Sequence, residues 1–232
     1  MKLYAVLLFV SGLVPLALSF DAKLQFYKQW KFVLPSIFLT AVVFLIPDIF
    51  FAQYGIWGFN PHYLLGINIF NLPLEEILFF IVIPYASLFI HYSFFHYFPE
   101  RYPRQSVLTY TMLLSLAAMV ALVFFHHREY TLYAGILTLT SLLLAYVFVR
   151  ETLAKFFVSF LLILIPFFIV NGLLTGSFIK GEVVWYNSNE ILGFRILTIP
   201  VEDFFYGFSL ILINLIFIES FRKIAELKTK KV

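Results

Sequence analysis

The chain contains no cysteine and little charge: Asp, Glu, Lys and Arg together make up 12% of its 232 residues. With no cysteine, a disulfide scaffold is excluded. Soluble domains carry about 25% charged residues, so the low charge argues against a water-soluble fold. With 62% of the residues hydrophobic, a single soluble core could not hide the apolar surface. Disorder is excluded by the same hydrophobicity and by 31 Phe and 14 Tyr. Several motifs are also missing. There is no Gly-rich dinucleotide or phosphate loop, no serine nucleophile elbow and no aspartate-rich diphosphate motif. The last apolar run has no lysine to form a retinal Schiff base. What remains is an all-α integral membrane protein, because the apolar runs are long and unbroken. Barrel strands alternate over about ten residues.

A helix needs roughly 20 apolar residues to cross a bilayer. Seven stretches qualify: Leu3–Phe20, Phe32–Phe51, Pro73–Tyr92, Val107–Phe125, Thr131–Val149, Phe156–Leu174 and Pro200–Ile218. Short linkers make neighbours antiparallel. With the N-terminus outside, the inner segments hold Lys23, Lys28, Lys31, Arg101, Arg104, Arg150, Lys155, Arg222, Lys223, Lys228, Lys230 and Lys231. The outer segments hold only Lys2, Arg128, Lys180 and Arg195. This is a positive-inside pattern. The expectation is a cell (inner) membrane protein of bacterial type with a cytoplasmic C-terminus. The basic residues read as topology and contact with anionic lipid, not as a nucleic-acid surface. Lys2, the first apolar run, Ala17 and Ser19 also fit a secretory signal. Seven spans give the better charge balance.

The two halves repeat. Asn60 is followed by five residues, Gly66, six residues and Pro73-Leu74-Glu75-Glu76. Asn187, Gly193 and Pro200-Val201-Glu202-Asp203 reproduce every spacing at an offset of 127 residues. Trp57 and Trp185 precede the two copies, one residue out of register. Four helices separate the copies, so both run in the same direction. The expected organisation is two parallel three-helix repeats, residues 1–98 and 131–232, joined by a linker helix within 99–130.

Five of the 13 acidic residues lie in or at the edge of a span: Asp48, Glu75, Glu76, Glu202 and Asp203. Ionisable groups in a bilayer cost about 2.5–3.5 kcal/mol on insertion scales and are functional candidates by default. Pro73 and Pro200 suit a first helical turn, Asn71 and Thr198 can cap, and one acid there suits the helix dipole. Two adjacent acids in both copies exceed that need, since neighbours on a helix point about 100° apart. The uncharged loop Ala52–Leu72 is expected to fold back over the acids and exclude water. Asn171 is the approximate counterpart of Asp48 and could orient a carboxyl group or join helices. Phe79, Phe80, Phe204, Phe205 and Tyr206 flank the acids and could line a substrate pocket. No His forms a metal-ligand spacing with carboxylates, and His126-His127 reads as a solvated turn.

These residues together resemble the lycopene cyclase domain family, in its fused two-repeat form. The resemblance is carried by Phe26-Tyr27-Lys28-Gln29-Trp30-Lys31, Gly55-Ile56-Trp57-Gly58-Phe59-Asn60-Pro61, Asn71-Leu72-Pro73-Leu74-Glu75-Glu76 with Phe79-Phe80, Asn171-Gly172-Leu173-Leu174-Thr175-Gly176 and Thr198-Ile199-Pro200-Val201-Glu202-Asp203-Phe204. The family often has Trp before the acid where this chain has Pro47, and Arg where it has His62. The resemblance implies a lipophilic carotenoid substrate, lycopene or a related linear carotene, and non-redox closure of an acyclic end into a β-ionone ring. It also implies a setting among other carotenoid biosynthetic enzymes. Acid–base groups suffice for that reaction, and no cofactor or metal is expected. Glu75 and Glu202 are the expected lead acids, because they share a repeat position. Glu76 and Asp203 would be relay or base, with Asp48 and Asn171 supporting the substrate site. Open alternatives are another carotenoid end-group enzyme (an ε-type or longer-chain cyclase, or a hydratase), a proton-coupled transporter and a non-catalytic carotenoid-binding protein.

Overall fold

The apolar runs become seven helices in the computed structural model, which describes residues 2–229. They are α1 (Leu3–Leu18), α2 (Trp30–Gln53), α3 (Leu74–Tyr97), α4 (Val107–Phe125), α5 (Glu129–Phe148), α6 (Arg150–Leu174) and α7 (Val201–Thr229). Helices α2 to α7 are long and apolar enough to cross a membrane. Helix α1 has 16 residues, or roughly 24 Å at the helical rise. That is short of a hydrocarbon core of about 30 Å.

Helices α2, α3, α5, α6 and α7 extend beyond their expected spans, α3 on to Tyr97 and α5 back to Glu129. A single 3₁₀ turn, Phe26–Gln29, leads into α2, α6 starts at Arg150 and α7 runs to Thr229. Hydropathy marks only the hydrocarbon-crossing part, whereas Lys, Arg and Glu are good helix formers and carry the hydrogen-bonding pattern onward. The helical ends therefore include basic residues that the apolar spans leave out. At one end of the bundle Arg222 reaches Gln29, Lys223 reaches the Phe148 carbonyl and Arg104 lies by Glu151. At the other end Lys2 donates to the Leu64 carbonyl, Arg128 to Ser188 and Arg195 to Thr198. Lys230 and Lys231 lie outside the described residues.

The packing repeats as the motifs do. Helix α1 packs on α3 and α5 packs on α7, while α2 crosses to α7 and α6 crosses to α3. The repeats thus interlock, and α4 rests on the outside against α5 and α6. Phe44, Phe80, Phe156, Leu142 and Leu212 are among the fully buried side chains where the halves meet.

The two motif loops meet above the bundle. Strand β1 (Trp57–Phe59) pairs antiparallel with β4 (Val184–Tyr186), placing Trp57 opposite Tyr186 and Gly58 opposite Trp185. Each loop then makes the same hairpin: β2 (Asn68–Ile69) with β3 (Leu72–Pro73), and β5 (Arg195–Ile196) with β6 (Ile199–Pro200). These hairpins occupy the residues that could have capped the helices. Asn71 sits in the two-residue turn at φ 60° and reaches the Ile49 carbonyl. Thr198 bonds the Thr175 and Ser177 hydroxyls. Neither caps a helix, and Pro73 is the N-cap of α3, not a first-turn residue.

The one-residue slip between the tryptophans has a structural consequence. Side chains alternate across a strand, so a slip of one changes the face. Trp57 is buried beneath the loops against Tyr130. Trp185 lies on the outer face over Gly58, where an added Cβ would sit 2.3 Å from the indole.

Candidate active site

Each hairpin delivers two adjacent acids into the first turn of a long helix, and the 100° step between them sends them to different places. Glu75 is fully buried and accepts the Leu65 backbone N–H through Oε1. Glu202 accepts the Leu192 N–H and the Thr131 hydroxyl through Oε1. Leu65 and Leu192 are themselves repeat counterparts. These two carboxyl groups pin their motif loops, and the second oxygen of each is buried without a hydrogen-bond partner.

Glu76 and Asp203 point inward. The Tyr4 hydroxyl at the start of α1 donates to Glu76 at 2.6 Å. The Tyr130 hydroxyl at the start of α5 donates to Asp203 at 2.7 Å. Asp203 also accepts from Asn171 at 2.8 Å and from Tyr186 at 3.0 Å. Tyr186 lies in the loop strand β4. Burial, then the neighbouring Asp203, holds its phenol well above the usual tyrosine range, so it stays a donor. Asp48, near the end of α2, is 1% exposed, and neither of its carboxyl oxygens has a hydrogen-bond partner. Its neighbours include the Trp57 indole and Glu76, and Glu76 in turn feels Asp203.

Asp48, Glu76 and Asp203 line one cavity of about 350 Å³. Its walls are helical stripes at spacings of three and four. On α3 they are Glu76, Phe79, Ile83, Ser87 and Ile90; on α6, Phe160, Ile163, Phe167 and Asn171; on α7, Asp203, Tyr206 and Leu210. The β1–β4 pair closes the acid end with Trp57, Val184 and Tyr186. Among the flanking aromatics of the sequence motifs, Phe79 and Tyr206 line this space. Phe80 packs behind it on Phe44 and Tyr206, Phe204 packs on Phe167 and Phe168, and Phe205 joins the cluster around Trp57 and Ile191.

Tyr4, Tyr130 and Tyr186 do not stand out in the sequence. A signal for two of them exists: Tyr4 and Tyr130 open the first helix of each repeat, 72 and 73 residues before their acids. The uncharged loop does fold over the acids, burying Trp57, Tyr63 and Leu64. His126 and His127 lie exposed in the turn between α4 and α5. Among the described residues no cluster of His and acids is placed to hold a metal ion.

The protein is thus of the helical membrane class, with the carboxyl groups of Asp48, Glu76 and Asp203 and the hydroxyl donors Tyr4, Tyr130 and Tyr186 gathered at one end of a largely apolar cavity. The family model for lycopene cyclase matches residues 1–95 and again 127–221. The chain belongs to the lycopene cyclase family, whose members act on carotenoids. The matched segments carry α1–α3 and α5–α7, and α4 lies between them. No curated protein and no solved structure matches the chain.

Proposed function

We propose that the protein closes the acyclic ends of a linear carotene such as lycopene into β-ionone rings, without redox change. The observation that carries this reading is the convergence of Asp48, Glu76 and Asp203 on one apolar cavity. The reaction needs a proton donor, a proton acceptor and a dry enclosure. A carboxylic acid protonates the terminal double bond, forming a C–H bond and a tertiary carbocation. The neighbouring double bond attacks that centre and forms the ring C–C bond. A carboxylate then removes a ring proton, and the C–H electrons become the ring double bond. One proton enters and one leaves, so the product is an isomer of the substrate.

The roles follow from the partners. Asp48, which faces the cavity beside the Trp57 indole, is placed to deliver a proton, and Glu76 beside it, oriented by Tyr4, resupplies it. Asp203 is held by three donors that favour negative charge, which suits the base. On this reading the lead passes from Glu75 and Glu202 to Glu76, Asp203 and Asp48, and the loop-pinning pair shapes the enclosure. The faces of Trp57, Phe79 and Tyr206 stabilise the passing cation, by about 0.5–2 kcal/mol for each well-placed ring. Exclusion of water matters because water would trap the cation as an alcohol. The setting is a bilayer, with the loop end outside and the basic end in the cytoplasm, and the linear carotene arrives from biosynthetic enzymes in the same membrane.

Expression in a lycopene-accumulating host, with pigment analysis, tests the reading. A ringed product of unchanged mass is expected. Unchanged lycopene, with the protein present in the membrane, would overturn it.

A further inference from the structure

The cavity does not end at the acids. Along α3 its lining runs from Glu76 to Ile90, fifteen residues and so roughly 20 Å of helix. Beyond the acid end its wall carries no charge, and Ser11 and Ser87 are its polar side chains. The floor is α3 and α7, and the walls are α1 and α6. Helix α1 packs on α3; at the acid end its Leu3, Tyr4 and Leu8 share a hydrophobic cluster with Leu174 of α6, and further along α1 and α6 make no extended packing contact. Val10 and Val14 of α1 line the cavity and are also more than half exposed, at 58% and 57%. On the other side Phe167 and Val170 of α6 line it and are half-buried. Two apolar helices therefore border a gap at a depth where the surroundings are lipid.

The acid end offers no comparable route. The β1–β4 pair crosses it, Tyr63 donates to the Lys180 carbonyl at 2.7 Å, and Lys2 ties α1 to Leu64. An apolar molecule would also have to leave the bilayer to reach that face.

We propose that the gap between α1 and α6 is a lateral portal from the bilayer, through which a linear polyene enters end first. The cavity holds one cluster of acids, contributed by both repeats, at the end away from this gap, so an end group that enters between the helices runs along the apolar lining to the acids. This rests on the cyclase reading of the same site, and it adds the route.

The test uses the full-length protein in vesicles containing lycopene in excess, sampled over time. The portal is tested with Val14→Trp, which narrows the gap, and Leu13→Trp, which places the same bulk on a neighbouring exposed residue outside the cavity lining. Val14→Trp is expected to lower kcat/KM at least about tenfold, because the added indole fills the passage. Leu13→Trp stays within about twofold, since surface changes of this kind are mild. Equal rates for the two tryptophan variants, with both proteins intact in the membrane, would overturn the portal. If the unaltered protein forms no ring at all, the cyclase reading fails first, and that outcome is distinct from the loss of the portal.

Discussion

Tyr4 donates its hydroxyl proton to Glu76 at 2.6 Å, so the first helix completes an acid site carried on the third. Its pseudo-symmetric counterpart, Tyr130 on Asp203, is one of three donors to that carboxyl group, whereas Tyr4 is the hydroxyl partner of Glu76. Removing a hydrogen bond to a buried carboxyl group costs about 1.5–3 kcal/mol. Tyr4→Phe is therefore expected to lower ring formation by about tenfold or more. Tyr130→Phe should cost less, because Asn171 and Tyr186 still hold Asp203. Conversion rates normalised to membrane-inserted protein measure both. A larger loss in Tyr130→Phe would show that the two halves contribute in the opposite order.

The adjacent acids should separate into two phenotypes. On the proposed roles, Glu76→Gln, Asp203→Asn and Asp48→Asn remove the proton donor, relay and base, and turnover should fall by about 10²–10⁴-fold with the protein still folded. Glu75→Gln and Glu202→Gln weaken loop anchors to Leu65 and Leu192. Their first effect is on stability, about 1–3 kcal/mol for a buried group left poorly paired, with part of the turnover retained. Thermal unfolding in detergent, set beside conversion rates, distinguishes the groups. Complete loss of turnover in Glu75→Gln at unchanged stability would place that carboxyl group in the chemistry instead.

Gly58 supplies a test of the dry enclosure. Its missing side chain leaves room for the Trp185 indole, and a Cβ there would approach within 2.3 Å. Gly58→Ala is expected to push β1 and β4 apart and admit water. The cation would then be intercepted, and a hydroxylated by-product should appear beside the ring. The double variant Gly58→Ala, Trp185→Ala relieves the clash and should return the product ratio towards that of the unaltered chain. Chromatography of the pigments reads both, and no alcohol in Gly58→Ala would mean that this strand pair is not the water barrier.

These residues also show which features a sequence exposes and which it hides. Helix α4 spans Val107–Phe125 as its apolar run predicts, because Ser106 and His126 bracket that run. The ends of α6 and α7 were not legible, since helical hydrogen bonding continues through Arg150, Lys155, Arg222 and Lys228 where hydropathy has already fallen. The acids were visible because charge is scarce in a span and the motif occurs twice. The split between Glu75, on a loop amide, and Glu76, in the cavity, depends on how the β2–β3 hairpin aims the first turn of α3, which composition does not record. Tyr4, Tyr130 and Tyr186 are ordinary among 14 tyrosines, and only the fold brings them to the acids. Helix α1 was the least certain span by its flanks, yet it supplies Tyr4 and one wall of the cavity.

The segregation of basic residues makes the orientation testable on the same chain. Lys23, Lys28, Lys31, Arg101, Arg104, Arg150, Lys155, Arg222, Lys223 and Lys228 lie on the segments at one end of the bundle, and Lys2, Arg128, Lys180 and Arg195 at the motif-loop end. On the positive-inside rule the first group is expected in the cytoplasm, with the motif loops and the acids beneath them on the outer side. Because the chain contains no cysteine, a single introduced thiol is an unambiguous reporter. His126 and Gln105 are exposed at opposite ends of α4. His126→Cys is expected to react with a membrane-impermeant maleimide on intact cells, and Gln105→Cys only after the membrane is opened. The reverse pattern would invert the protein in the bilayer. It would leave the cavity and the α1–α6 gap unchanged, because both are defined by the helices and not by the side they face.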